Sequence, residues 1–148
     1  MANLSEKEVL RVSLVVLRKV FKEWANVERR QSGLFKNPDG HTVRIGKKYE
    51  SDIGGWILKG PYIAKPISIE VKRSNFRPNR IYKADKVRFL NQCNYLQEIN
   101  SQGGVGFWIN HPSHLYKILP PVLMHGARVT LDNNLYVILT GTGAPVIK

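Results

Sequence analysis

Residues 67–109 restrict the fold more than any other part of the sequence. They begin with a strand-like run at 67–73 (ISIEVKR) and continue through a helical stretch from about residue 84 to 102, which stops at Gly103-Gly104. A short apolar run then follows at 105–109 (VGFWI). A strand, a helix and a strand in this order form a parallel crossover. The pattern therefore predicts an α/β protein that contains a parallel strand–helix–strand crossover.

The remaining segments add helices and strands to what we expect to be a single domain, because 148 residues match the usual size of one. A first helix is predicted over 5–25, with Ser5 as N-cap and Glu8 completing a capping box. Extended pieces are expected at 27–35, 42–45 and 52–58, the first two joined by a turn at 37–40 (NPDG). Residues 74–83 predict a flexible basic loop. A short helix at 111–118 and a hairpin formed by 128–131 and 135–139 would make a C-terminal extension, 111–148.

The run ISIEVKR carries charged residues in a strand that otherwise looks buried. Successive side chains on a strand point to opposite faces, so Ser68, Glu70 and Lys72 share the face opposite the aliphatic residues. An amphipathic surface strand would explain this alternation without any function. A functional explanation is available if Asp52, which opens the preceding strand, meets Glu70 at one end of the sheet. Two carboxylates and a backbone carbonyl suit Mg²⁺ or Mn²⁺, and a neighbouring lysine can position water or stabilise charge on phosphate oxygens.

The charge balance indicates a polyanionic partner. The chain has 23 Lys and Arg against 11 Asp and Glu, a net charge of +12. Such an excess favours nucleic acid, because cations that neutralise phosphates release condensed counterions. A membrane surface is disfavoured, since the cations are spread along the chain, and no apolar run reaches the ~18 residues of a membrane span. Without a signal-peptide pattern, and with Cys93 as its single cysteine, the chain is expected to be cytoplasmic and free of internal disulfides.

A known family matches these motifs. Asp52 followed by Glu70-Val71-Lys72 resembles the signature of the PD-(D/E)XK nucleases, in which an Asp precedes a Glu-X-Lys on the next strand. The order of the surrounding segments is similar to the VRR-NUC branch, whose small stand-alone members are often phage-encoded. Those segments are RQSG at 30–33, VRIG at 43–46, SDI at 51–53, IEVK at 69–72, and Gln92 ahead of Gly103-Gly104. The resemblance spans about residues 5–110, and Ser51 stands where the superfamily has its proline.

The resemblance implies a restriction-endonuclease-like fold, which is an α/β fold with a central mixed β-sheet flanked by helices. It also implies metal-dependent hydrolysis of phosphodiester bonds, with DNA as the expected substrate and RNA left open. Asp52, Glu70 and the Val71 carbonyl would bind Mg²⁺ or Mn²⁺, with Glu6 as a further candidate ligand. Lys72 would activate or position the attacking water, and Gln92 would hold Lys72 or a phosphate. A solvated position at the edge of its helix is the alternative for Gln92, and a first-turn acid favoured by the helix dipole is the alternative for Glu6.

Partners follow from the same resemblance. Holliday-junction-resolvase-type cleavage of branched DNA competes with general or nicking endonuclease activity. Related resolvases form dimers, so a second copy of the chain is a candidate partner, and a phage-encoded protein would act in the cytoplasm of a bacterial host cell. From a different functional class, the alternative is a non-catalytic nucleic-acid-binding protein that retains the fold. Candidate phosphate contacts are the cations near the motifs: Arg30, Arg44, Lys47, Lys48, Arg73, Arg77 and Arg80.

Other signals are weaker. Tyr49, Phe76 and Tyr82 could stack on unpaired bases, although core or rim packing is the favoured explanation for each of them. His111 and His114 have no Cys, Asp or Glu close in sequence to complete a zinc site. Cys93 lies in the middle of an amphipathic helix and is expected to be a small core residue. No P-loop is present, so no ATP site is expected.

Overall fold

The chain forms a four-stranded mixed sheet with helices packed against it. The computed structural model describes residues 3–30, 33–36, 38, 40, 42–45 and 50–147, with only the backbone described at 33–36 and 42–45. The helices are α1 (Glu6–Lys19), α2 (Lys83–Ser101) and α3 (His114–Leu119), with a 3₁₀ turn at Pro78–Arg80 and a π-helical turn at Pro120–Met124. The strands are β1 (Ala25–Arg29), β2 (Gly33–Lys36), β3 (Thr42–Ile45), β4 (Ile53–Ile57), β5 (Pro66–Val71), β6 (Val105–Ile109), β7 (Val129–Leu131) and β8 (Val137–Leu139).

The central sheet has the strand order β1-β4-β5-β6. β1 pairs with β4 and β4 with β5 in antiparallel fashion, whereas β5 and β6 are parallel. The predicted α/β class, mixed sheet and parallel crossover through α2 are therefore confirmed. Two separate hairpins, β2–β3 and β7–β8, accompany the sheet. Part of the turn predicted at 37–40 lies outside the described residues.

Both faces of β5 are buried, including the face that carries Glu70. Ile67 and Ile69 are at most 1% exposed on one face, and Glu70 is only 3% exposed on the other. The alternative of an amphipathic surface strand is therefore wrong. The cover over Glu70 comes from α2, which crosses this face so closely that a Cβ on Gly106 would lie 2.6 Å from the Leu96 carbonyl oxygen.

The first helix is shorter than its periodicity predicts. α1 begins as expected, with Ser5 Oγ accepting from the Glu8 N–H at 3.2 Å, but it ends at Lys19 rather than near residue 25. Phe21 continues the apolar spacing from a buried turn, and Ala25 opens β1 opposite Ile57. Pairing with β4 therefore overrides the local helical pattern. The segment predicted as one extended piece at 27–35 belongs to two strands, β1 and β2, in different sheets.

The loop at 74–83 is anchored rather than free. Phe76 is 4% exposed and packs edge-on against Phe89 and Trp108, with centroids 4.8 and 5.6 Å away. Asn110, which is also buried, donates from Nδ2 to the Phe76 carbonyl at 3.0 Å. The expected flexible loop is therefore anchored by its Phe76 ring, and core packing, the favoured explanation of Phe76, is confirmed. Tyr82, by contrast, is 86% exposed.

We expect Gly106→Ala to lower the free energy of unfolding by about 1–3 kcal/mol, the usual cost of overpacking a rigid contact. The obstacle is main chain at Leu96, and Asn100 of α2 also brackets the Gly106 N–H and carbonyl with bonds of 2.6 and 2.9 Å. Urea denaturation would measure the change. An unaltered midpoint would mean that α2 can shift away from the sheet without loss.

Membrane crossing was also considered. In residues 3–30 and 50–147, together with the short described pieces between them, no helix has the length and apolar character of a membrane span.

Candidate metal centre

Neighbouring strands bring Asp52 and Glu70 together. Ile53 of β4 is paired with Ile69 of β5, so Asp52, one residue earlier, lies opposite Glu70, one residue later. The Asp52 side chain is fixed at this end of the sheet because its Oδ2 accepts from the Val71 N–H at 2.8 Å. The meeting of two carboxylates that the motif spacing suggested is thus present in the structure.

Glu6 completes a cluster of three acids. Carboxylate oxygens of Glu6, Asp52 and Glu70 lie within 4.8 Å of one another, and no other group of three or more His, Cys, Asp or Glu of this kind occurs in the described part of the chain. The start of α1 is held here by two bonds between Leu4 and Ser74: the Leu4 N–H donates to Ser74 Oγ at 2.7 Å and the Ser74 N–H to the Leu4 carbonyl at 3.0 Å. Glu6 is therefore positioned at the sheet end rather than being only a first-turn acid.

The electrostatics of this cluster favour a cation. Burial raises the pKa of Glu70 well above its usual value, Asp52 raises it further, and Lys72 partly opposes both. The pKa of Glu6 is also raised, chiefly by burial, with Lys72 again opposing. Three carboxylates at such spacing form a hard oxygen donor set of the type that Mg²⁺ and Mn²⁺ prefer. A divalent cation would relieve the repulsion that raises these pKa values, so the residues fit such an ion.

Lys72 and Gln92 form a hydrogen-bonded unit with Glu70. Lys72 is 6% exposed, and its Nζ donates to Gln92 Oε1 at 2.8 Å and lies 3.6 Å from Glu70 Oε1. Gln92 Nε2 in turn donates to the same Glu70 oxygen at 3.1 Å. Phe76 and Phe89 place their rings 5.6 and 5.4 Å from the ammonium. Gln92 thus orients both charged groups, and the alternative of a solvated edge position does not apply.

Arg30 lies beside this centre on the same face of the sheet. The Arg30 N–H donates to the Asp52 carbonyl at 2.7 Å, so β1 continues in register with β4 at this end. Its side chain crosses Gly54, where any Cβ would collide with the guanidinium, and pairs with Glu50 through Nη1. Its Nε is buried without a hydrogen-bond partner in the described structure. Glu50 was not predicted from the sequence. The only signal that could have suggested it is its position two residues before Asp52.

The other predicted phosphate contacts are divided between two regions. Arg73, Arg77 and Arg80 follow β5, immediately after Lys72; Arg73 and Arg80 are exposed and Arg77 is half-buried. The guanidinium of Arg73 lies 5.6 Å from the Phe76 ring centroid. The remaining predictions lie outside the described residues: the side chain of Arg44, and Lys47, Lys48 and Tyr49 entirely.

Cys93 is a core residue, as its helical position predicted. It is 1% exposed, and burial raises the pKa of its thiol to about 12, so the thiolate needed for nucleophilic chemistry is not formed at neutral pH.

No protein-family model, curated protein or solved structure matches the chain.

Proposed function

We propose that this chain is a Mg²⁺- or Mn²⁺-dependent endodeoxyribonuclease with a restriction-endonuclease-like fold. The observation that carries the proposal is the cluster of Glu6, Asp52 and Glu70 with Lys72 held beside it by Gln92. A buried lysine and a buried glutamate cost more in desolvation than their pairing usually returns, so their retention at one end of a sheet supports a catalytic use.

In this proposal each side chain of the centre has a separate task. Asp52, Glu70 and Glu6 would hold the divalent ion, with the Val71 carbonyl as a further ligand. The ion would supply Lewis-acid stabilisation of charge developing on the phosphate oxygens. Lys72 would orient the attacking water toward phosphorus, while Gln92 fixes the Lys72 ammonium through its Oε1. The ring faces of Phe76 and Phe89 limit solvent around that ammonium, which strengthens its interaction with a phosphate.

The net charge of +12 and the arginines after β5 support a nucleic-acid substrate, and DNA is the form that the family resemblance implies. Branched DNA of the Holliday-junction type and linear duplex are the two forms to compare, and a homodimer would allow two such centres to act on one junction. Cytoplasmic action, in a bacterial host if the chain is phage-encoded, belongs to the same proposal.

Lys72→Ala is expected to reduce DNA cleavage by about 10²–10⁴-fold, the usual contribution of a positioned proton-transfer group. The measurement uses labelled duplex, single-stranded and four-way-junction DNA with Mg²⁺, Mn²⁺ or EDTA. Lys65→Ala is the matched control, because Lys65 is exposed and directly precedes the other end of β5.

The outcomes separate the two functional classes. Cleavage that persists in EDTA, or that is unchanged in Lys72→Ala, would contradict the proposed mechanism. Binding of these substrates without cleavage under any metal condition would favour the non-catalytic nucleic-acid-binding protein.

A further inference from the structure

A second charged site lies beyond the metal centre, where the C-terminal segment closes over the end of the sheet. A cavity of about 460 Å³ is lined by Arg77 from the loop after β5, by His111, His114 and Lys117 around α3, and by Val146 and Ile147 near the C-terminus. No Asp or Glu is among the described residues that line it. Its volume is within the ~300–1,000 Å³ typical of small-ligand sites, and its charge is of one sign.

The basic side chains around the cavity have N–H groups that are available to a ligand. Among the described residues, Arg77 bonds only through Nη1, which donates to the carbonyls of Phe76 at 2.7 Å and Ser74 at 3.2 Å, so its remaining N–H groups are available. His111 Nδ1 accepts from the Ser113 N–H at 3.1 Å, which leaves the proton of the neutral ring on Nε2. Lys117 is exposed at the rim. The two backbone carbonyls that fix Arg77 therefore leave the other donors of its guanidinium available to an anion.

His114 shows that positive potential accumulates here. Its Nδ1 is buried without a hydrogen-bond partner in the described structure. Burial, with further contributions from Lys117, His111 and Arg77, lowers the pKa of this ring to about 4. A bound anion would offset the repulsion among these groups, whereas a metal cation would add to it. This makes the histidine pair unsuited to zinc, in agreement with the absence of a third ligand nearby among the described residues.

The cavity is structurally joined to the metal centre. Ser74, which lines it, follows Lys72 by two residues and makes both bonds to Leu4, two residues before Glu6. Asn110, another lining residue, fixes the Phe76 carbonyl, and the Phe76 ring contacts Lys72. The loop that follows β5 therefore links the cavity to Lys72.

We propose that the cavity is a phosphate-binding subsite for the nucleic-acid strand, with the C-terminal extension supplying one wall of it. The identity of the ligand as nucleic acid rests on the proposed function, but phosphate binding itself does not. The phosphate is carried either as a terminal monoester or as an internal diester, and the two forms are distinguishable.

The test measures oligonucleotide affinity in EDTA, so cleavage plays no part. Fluorescence anisotropy would compare single strands of one sequence that carry a 5′-phosphate, a 3′-phosphate or only hydroxyl ends. Lys117→Gln is expected to weaken binding about fivefold, as for one exposed ion pair, and to reduce the slope of log affinity against log salt by about 0.7. Lys19→Gln is the control, because Lys19 is exposed at the far end of α1, ~20 Å from Glu6.

Comparison of the three strands identifies whether the bound phosphate is a terminal monoester or an internal diester. If Lys117→Gln abolishes a preference for one phosphorylated end, the ligand is a terminal monoester; if it weakens all three strands equally, the ligand is an internal diester. Inorganic phosphate should also shift the ring NMR signals of His111 and His114 and leave those of His125 unchanged. Equal affinities of Lys117→Gln and Lys19→Gln, or unmoved signals of His111 and His114, would overturn the proposal. A chain that passes this test but cuts no DNA would refute only the nuclease function.

Discussion

Glu70→Gln is expected to remove DNA cleavage and, at the same time, to stabilise the metal-free protein at neutral pH. Loss of the carboxylate removes a metal ligand and should lower cleavage by at least ~10³-fold, comparable with the loss of a strong electrostatic stabiliser. The gain in stability has a separate cause. The ionised Glu70 is buried and faces Asp52, and both effects raise its pKa in the folded state.

The sign of the pH dependence follows from proton binding. Since the pKa of Glu70 is higher in the folded chain than in the unfolded one, the folded state binds more protons at pH values between the two. The stability of the wild-type chain therefore decreases as pH rises from about 4.5 through the folded value. Glutamine keeps the shape and accepts the Gln92 bond without charge, so it avoids this loss.

Thermal unfolding in EDTA at about pH 4 and pH 8 measures the effect. Each ~1 kcal/mol that the variant gains in free energy of unfolding should raise Tm by about 2–4 °C for a chain of this size. The difference between variant and wild type should be near zero at the lower pH and positive at the higher. Mg²⁺ should raise the Tm of the wild type only. Glu98→Gln, on the exposed surface of α2, is the control. A destabilised Glu70→Gln at pH 8 would show that the pairing of the ionised acid with Lys72 outweighs the cost of its burial.

Trp108→Ala is expected to cost about 3–5 kcal/mol of unfolding free energy, a large share of the 5–15 kcal/mol of a typical domain. Trp108 is fully buried next to Glu70 in the sheet register, and its Nε1 donates to the Leu135 carbonyl at 2.7 Å. Its ring packs edge-on against Phe76 and Phe89, the two aromatics beside Lys72. Truncation would leave a cavity and an unpaired carbonyl, and would loosen the support of the lysine.

Chemical denaturation monitored by circular dichroism provides the measurement. Trp56→Ala is the matched control, because Trp56 is 56% exposed on β4 and its truncation should change stability by less than ~1 kcal/mol. Equal losses in the two variants would mean that the aromatic cluster is not a principal part of the core.

The local sequence pattern was sufficient to predict most of the helices and strands and the positions of the motif residues. The parallel crossover, the hairpin after residue 128 and the helix stop at Gly103, which has φ +88°, were all legible in the sequence. The predictions that failed are those that depend on contacts between residues far apart in the sequence. Nothing local ends α1 at Lys19 rather than at residue 25; the pairing of Ala25 with Ile57 does so.

For the candidate site, too, the residues on regular elements could be predicted, and those brought together by tertiary packing could not. Asp52, Glu70 and Lys72 could be placed from strand periodicity, and Gln92 from helix periodicity, because each lies on a regular element or within one residue of its end. The cavity at Arg77 could not, since the residues around it come from a loop, a six-residue helix and the chain terminus. His111 and His114 were therefore considered only as metal ligands. Their cationic neighbours become adjacent only through tertiary packing.

The two bonds between Leu4 and Ser74 have a consequence for the order of folding. They join residues 70 apart in sequence, whereas the β5–α2–β6 unit is built from contacts within one short stretch. Contacts across long sequence separations form late, because loop-closure entropy must be overcome first. We therefore expect β5, α2 and β6 to associate early and the segment carrying Glu6 to dock last. Acquisition of full metal affinity would then report the final step of refolding, later than the recovery of tryptophan fluorescence from Trp108.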